Sequence, residues 1–166
     1  MLEEMIQKVM ETEQKKKKIE MIYAPLVGRM AELEKVEKDI FEQTNHHVIK
    51  IIPTEGKIYA PFDGEVSVIT PSKHAIVVKD EWENEVFIHV GRNTVELEGK
   101  FFHPFVQSMD RIKQGQKILT FEMEKIIEAG YRLDSIIYIT NKGNPVAMEQ
   151  MEGEITKETI LYERTI

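Results

Sequence analysis

The run Lys57-Ile-Tyr-Ala-Pro-Phe-Asp-Gly-Glu-Val-Ser-Val-Ile69 sets the fold class. Lys57 to Tyr59 is a short β-rich run, and Glu65 to Ile69 is another. Between them stand Ala-Pro, two residues and a glycine. The proline fixes one backbone dihedral and the glycine tolerates a positive one, so Tyr59–Gly64 is expected to make a tight reversal between strands. Tyr23-Ala-Pro-Leu-Val-Gly28 has the same form. The chain is therefore expected to turn in a similar way twice.

Further β-rich runs lie outward from this stretch: Ala75 to Lys79, Val86 to Val90, Ile118 to Phe121 and Ile136 to Thr140. The tail from Glu154 to Glu163, rich in Ile and Thr, is expected to add a final strand. Many short runs punctuated by Gly and Pro define an all-β class, an antiparallel β-sandwich or barrel. A few short helices are expected beside it. One covers Pro104 to Ile112, with Phe105, Met109 and Ile112 on one side. Another covers Met123 to Ala129 and stops at Gly130.

The 166 residues suit one domain. A formal charge of -7, from 29 acids and 22 bases, argues against nucleic-acid binding, which needs a positive footprint. With no cysteine there is no disulfide framework, thiolate zinc site, iron–sulfur cluster or catalytic thiol. No segment reaches the ~18 apolar residues of a membrane span, and no secretory leader is read at the N-terminus. The cytoplasm is the expected location.

Residues 1–18 stand apart from 19–166. Leu2, Met5, Ile6, Val9 and Met10 recur at helical spacing, and Lys15 to Lys18 follow. This segment is either an amphipathic helix touching anionic lipid at a membrane surface, or a frayed terminal helix or disordered lead-in.

Five histidines are the only candidates for chemistry: His46, His47, His74, His89 and His103. There is no Gly-rich phosphate loop, Gly-x-Ser-x-Gly elbow or His-Glu-x-x-His pattern. His46 and His47 are expected in a loop and unsuited to share a metal, since neighbours in an extended chain point apart. His103, before Pro104, is taken as a helix-entry residue. His89 ends the apolar run Val86-Phe-Ile88, and His74 opens the run from Ala75. Strands of a sandwich could bring those two rings together, but spacing alone does not show that they meet.

Several segments in register resemble the glucose-type enzyme IIA of the bacterial sugar phosphotransferase system. They are Ala60-Pro-Phe-Asp-Gly-Glu-Val66, Ser72-Lys-His-Ala75, Glu85-Val-Phe-Ile-His-Val-Gly91 and Asn93-Thr-Val-Glu-Leu-Glu-Gly-Lys-Phe-Phe102. Ile112-Lys-Gln-Gly-Gln-Lys-Ile118 and Phe121-Glu-Met-Glu-Lys-Ile-Ile-Glu-Ala-Gly-Tyr131 continue the match. The resemblance implies an antiparallel β-sandwich, with His89 as the phosphorylated nucleophile, His74 as its partner and Ser72 as a hydroxyl donor. It implies a phosphoryl carrier, a phosphotransferase component that needs no cofactor and no metal. The donor is the histidine-containing phosphocarrier protein, and the acceptor is an enzyme IIB domain of a sugar permease.

Three positions depart from the family pattern. Asn45-His46-His47 stands near where a Gly-Asp-Gly is usual, and Asn93, after Arg92, replaces an acid. A second acid is expected where counting lands on Lys38, with Asp39 beside it. In the family that the chain resembles, those acids line the rim where a basic patch of the phosphocarrier docks. Their loss, with Arg92 adding a positive charge, is expected to weaken that complementarity. A regulatory protein-binding module of the same fold, with weak or lost transfer, is therefore the alternative function. A biotinyl or lipoyl carrier shares the Ala-Pro-x-x-Gly corner but is much shorter and presents a hairpin lysine. Here Lys125 falls in the stretch read as helical.

Overall fold

A computed structural model describes residues 1–14, 19–41, 47–140, 144–145 and 154–165. In chain order the elements are α1 (Leu2–Gln14), β1 (Ile19–Tyr23), β2 (Leu26–Ala31), α2 (Lys35–Phe41), β3 (His47–Tyr59) and β4 (Gly64–Ile69). Next come β5 (Ala75–Lys79), β6 (Glu85–His89), a 3-10 turn at Thr94–Leu97, β7 (Phe102–Pro104), β8 (Arg111–Ile112) and β9 (Lys117–Phe121). The chain closes with α3 (Met123–Glu128), β10 (Ser135–Ile139), β11 (Asn144–Pro145) and β12 (Ile160–Thr165).

Every described strand pairing is antiparallel. A nine-stranded sheet runs β7-β9-β3-β10-β6-β5-β4-β8, with β2 joined to β3, and a three-stranded sheet runs β1-β12-β11. The large sheet curls into a half-barrel. The all-β reading therefore holds. Alternation makes the core: Ile76 and Val78 of β5, Val86 and Ile88 of β6, and Ile137 and Ile139 of β10 are buried, while the residues between them face the other way.

The two Ala-Pro-x-x-Gly corners pack against each other reciprocally. Tyr23 N–H donates to the Pro61 carbonyl at 2.9 Å, and Tyr59 N–H donates to the Pro25 carbonyl at 2.8 Å. Each corner hands the chain to a strand with different partners, β1 to β2 and β3 to β4. The glycines serve differently from expectation. Neither Gly28 nor Gly64 has a positive φ. A Cβ on Gly28 would fall on the Ile52 carbonyl oxygen, and one on Gly64 on the Lys79 carbonyl oxygen. Close strand approach, not turn conformation, demands glycine there.

The helix expected over Pro104–Ile112 is absent. Pro104 ends β7 and Ile112 ends β8. Backbone groups between them are claimed elsewhere: Phe105 N–H by the Ile118 carbonyl and Met109 N–H by the Val66 carbonyl. Met109, at φ 76°, is outside helical geometry. The helix at Met123–Glu128 does form, and Gly130 follows at φ 96° with its N–H on the Ile127 carbonyl. His47 is not in a loop. It opens β3 opposite Ile139, and its ring lies 4.8 Å from that of Tyr162, tilted by 53°; His46 lies outside the described residues. The final strand starts at Ile160, after a turn over Thr156–Thr159. Helix α1 forms, with the side chains of Leu2, Met5, Ile6, Val9 and Met10 exposed. Lys15 to Lys18 are outside the described residues. Among the described residues no helix is long and apolar enough to cross a membrane.

Candidate functional site

The register of β5 and β6 sets Ala75 opposite His89, and β10 places Ile136 on the other side of His89. Val90 N–H donates to the His74 carbonyl at 2.9 Å, which locks the residue before β5 to the end of β6. His74 follows Lys73, whose φ is 58°, and lies outside β5. Strict strand alternation therefore does not dictate where its ring points. The two rings meet edge to face, with centroids 4.7 Å apart and planes at 84°.

Ser72 completes the group. Its Oγ is 2.7 Å from His74 Nδ1. A residue that sequence reasoning missed, Thr70, brings its Oγ1 to 3.5 Å from the same nitrogen and also accepts from Ala75 N–H at 3.3 Å. The turn closes on itself, Lys73 N–H donating to the Thr70 carbonyl at 2.8 Å. The Thr70–His74 spacing across this turn was the signal available in the sequence. His74 is 7% exposed, whereas His89 is only partly buried and keeps a solvent-reachable edge. Among the described residues no group of three or more His, Cys, Asp or Glu is arranged to hold a metal.

Both imidazoles sit below the ordinary histidine pKa. For His74 the main cause is burial, reinforced by the neighbouring His89. For His89 burial dominates, opposed by the carbonyls of Gly91 and of His89 itself, which favour the protonated ring. An imidazole reaches its own carbonyl through Nδ1 and not Nε2. Such contacts favour the tautomer that carries its proton on Nδ1.

The surroundings of His89 combine two textures. Two residues back along β6, Phe87 is exposed on the same face, edge-on to Tyr138 at 5.5 Å, and Val68 and Val95 are also exposed. Beyond the other end lies an ion-pair network. Lys50 is 4% exposed and contacts Glu37 at 2.9 Å, Asp134 at 3.3 Å and Glu34 at 3.8 Å. Arg92 grips Glu34 with two bonds of 3.2 Å and reaches Asp134 at 3.6 Å. Arg132 adds Asp134 at 3.0 Å. Arg92 therefore brings no unbalanced positive charge to the rim, contrary to expectation, because Glu34 and Asp134 offset it. Burial alone would lower Lys50, but its acids outweigh that and hold it above the usual lysine value. Burial likewise would raise Glu37, yet the Glu34 N–H and Lys50 hold it below the usual range. Asn93, exposed at φ 58°, and Lys38, exposed on α2, stand where acids were expected.

The fold thus sets one partly exposed imidazole against a buried one on a curled antiparallel half-barrel. Comparison with known proteins identifies the family. The family model described as the phosphoenolpyruvate-dependent sugar phosphotransferase system, EIIA 1, matches residues 20–144. The chain is 34% identical over 148 residues to the "PTS system glucose-specific EIIA component" of Staphylococcus epidermidis, covering 87% of this chain and 89% of that protein. It is 40% identical over 123 residues to the "PTS system beta-glucoside-specific EIIBCA component" of Dickeya chrysanthemi, covering 74% of this chain and 20% of that one. Among solved structures it superposes on glucose permease IIA from Mycoplasma capricolum with a TM-score of 0.73 at 25% identity, over 88% of this chain and 96% of the other.

The chain belongs to the EIIA family of phosphoryl-carrying components of the sugar phosphotransferase system. EIIA domains of this family work with EIIB domains, and the Dickeya relative joins the two in one chain.

Proposed function

We propose that His89 is the residue that carries the phosphoryl group, with His74 and Ser72 bracing it. The observation that carries this is the pair of imidazoles 4.7 Å apart with only the later ring open to solvent. The Nε2 lone pair of neutral His89 attacks phosphorus on a donor phosphohistidine. The new P–N bond forms as the donor's P–N bond breaks, and the donor ring keeps the released electron pair. One imidazole replaces another, so the step is reversible and needs no separate base. Charge spreads over three phosphoryl oxygens in a loose transition state, where alignment and hydrogen-bond donors help most. If Ser72 Oγ–H donates to His74 Nδ1, then His74 presents Nε2–H to those oxygens.

The donor we infer is the histidine-containing phosphocarrier protein, and the acceptor is an enzyme IIB domain of a sugar permease, met in the cytoplasm. Residues 19–166 form the carrier domain in this proposal, and residues 1–18 are a lead-in. The exposed apolar stripe of α1 supports contact with anionic lipid. Incubation with phosphoenolpyruvate, enzyme I and the phosphocarrier protein tests the central step. Acid-labile, base-stable label is expected on wild type and absent from His89→Ala. His74→Ala is expected to accept label and pass it on slowly. Wild type that stays unlabelled at high donor concentration overturns the proposal. It would instead favour a regulatory protein-binding module with other protein targets, a reading supported by Lys38 and Asn93 on the rim.

A further inference from the structure

The backbone just after His89 is held by residues 132–135, and the N–H of Gly91 is bound by a serine that none of the chemistry above uses. Gly91 N–H donates to Ser135 Oγ at 3.1 Å, and Ser135 Oγ–H donates to the Leu133 carbonyl at 2.7 Å. Ser135 is fully buried at 0% exposure, so its hydroxyl is committed on both sides and water does not compete. Arg92 N–H donates to the Arg132 carbonyl at 3.1 Å. That bond fixes the peptide plane joining Gly91 to Arg92, whose other pole is the Gly91 carbonyl. The Ser135 bond fixes the plane on the opposite side of the same Cα. Gly91 itself sits at φ 76°, and a Cβ there would come within 2.6 Å of Thr94 Cγ2 and 2.9 Å of the Arg132 carbonyl oxygen. A glycine without such restraints has wide backbone freedom, so the two bonds remove motion the residue would otherwise have.

We propose that Ser135 is a positioning residue for His89: it pins Gly91 so that the Gly91 carbonyl holds the imidazole with Nδ1 protonated and Nε2 presented as the acceptor of phosphorus. This rests on the assignment of His89 as the carrier. Ser135 touches neither phosphoryl group nor partner and acts only through the Gly91 peptide. Without the hydroxyl, Gly91 N–H is buried and unpaired, and the peptide reorients to relieve that. The ring is then left with the pull of its own carbonyl alone, so its bias between tautomers weakens, and only one tautomer presents a bare Nε2.

The test uses nitrogen-15-labelled full-length protein at pH 8, where the imidazoles are neutral, and reads both ring nitrogens of His89 by proton–nitrogen correlation. Wild type should show Nδ1 protonated and Nε2 bare. Ser135→Ala should show a mixture of tautomers, and its labelling rate at saturating donor should fall about five- to tenfold. The donor concentration for half-maximal rate should stay the same. Ser135→Thr, which keeps the hydroxyl, should recover most of the lost rate and the single tautomer. A merely structural role would lower the melting temperature without moving the ring nitrogens. Wild type with Nε2 protonated overturns the proposal, as does Ser135→Ala with unchanged nitrogens and rate. Should Ser135→Ala not fold, Ser135→Cys takes its place. A thiol is a weaker partner, so a wild-type tautomer and rate there also overturn it. The nitrogen pattern needs no phosphoryl transfer, so unlabelled wild type would sink the His89 assignment while leaving Ser135 to be judged separately.

Discussion

Replacing Lys50 with methionine removes the one cation that Glu37 touches directly and leaves that carboxylate in a site where it is only 13% exposed. Breaking a buried pair from one side costs about 3–5 kcal/mol. The full amount does not apply here. Asp134 keeps Arg132 at 3.0 Å, and Glu34 keeps Arg92 at 3.2 Å. Glu37 still accepts from the Glu34 N–H at 2.8 Å. A loss of about 2–3 kcal/mol follows, or roughly 5–10 °C in melting temperature for a chain of this size. Adding Glu37→Leu removes the stranded charge and should return the protein to within ~1 kcal/mol of wild type. Urea unfolding of the four members of this cycle gives the coupling. The acid dependence is a second signature. Glu37 is held below its ordinary pKa in the folded state, so its contribution is present above about 4.5 and lost as pH falls through the folded value. Lys50→Met should flatten that loss. A Lys50→Met protein as stable as wild type, or a double variant no better than the single one, refutes the reasoning.

Gly91→Ala should cost about 2–5 kcal/mol, combining ~1–2 for a left-handed alanine with ~1–3 for crowding against Thr94 and the Arg132 carbonyl; thermal unfolding measures it. Labelling of His89 should hold steady from pH 8 down past ~6.5 and fall only below it, because both rings are held below the ordinary histidine value and the neutral form attacks. The same shifts mean that the unfolded chain binds protons first, so urea midpoints should fall as pH drops below ~6.5, and less so in His74→Gln. Asn93→Asp, which tolerates the same left-handed backbone, combined with Lys38→Asp should lower the donor concentration for half-maximal labelling about three- to tenfold at low salt, less at high salt. Salt-independent kinetics with no gain would show that the rim charges do not guide docking.

The strands legible in the sequence were those whose apolar runs match the burial alternation, such as Ala75–Lys79 and Ile136 onward into β10. Positions misread were those whose backbone partners are far away in the chain. Phe105 and Met109 look helical by spacing, yet their N–H groups belong to the Ile118 and Val66 carbonyls. The paired corners were visible as an echo, but the carbonyls that demand glycine at 28 and 64 come from residues 52 and 79. At the site, His89, His74 and Ser72 could be nominated from local sequence and resemblance. Their meeting depends on the Ala75–His89 register and on the turn at Lys73, which no local pattern encodes. Helix α2 went unread, and with it the network around Lys50, whose members at 34, 37, 50, 92, 132 and 134 converge only through the sheet. That convergence also balances Arg92, which sequence alone counted as a free charge. Ser135 carried no signal, since a serine opening a strand has nothing to set it apart until Gly91 is seen against it.

Phosphorus NMR of the nitrogen-15-labelled protein, phosphorylated from phosphoenolpyruvate through enzyme I and the phosphocarrier, addresses the phosphoryl site itself. One phosphorus resonance coupled to Nε2 of His89 is the expected result. Coupling to a nitrogen of His74, or a protein that takes up no phosphorus, would contradict it.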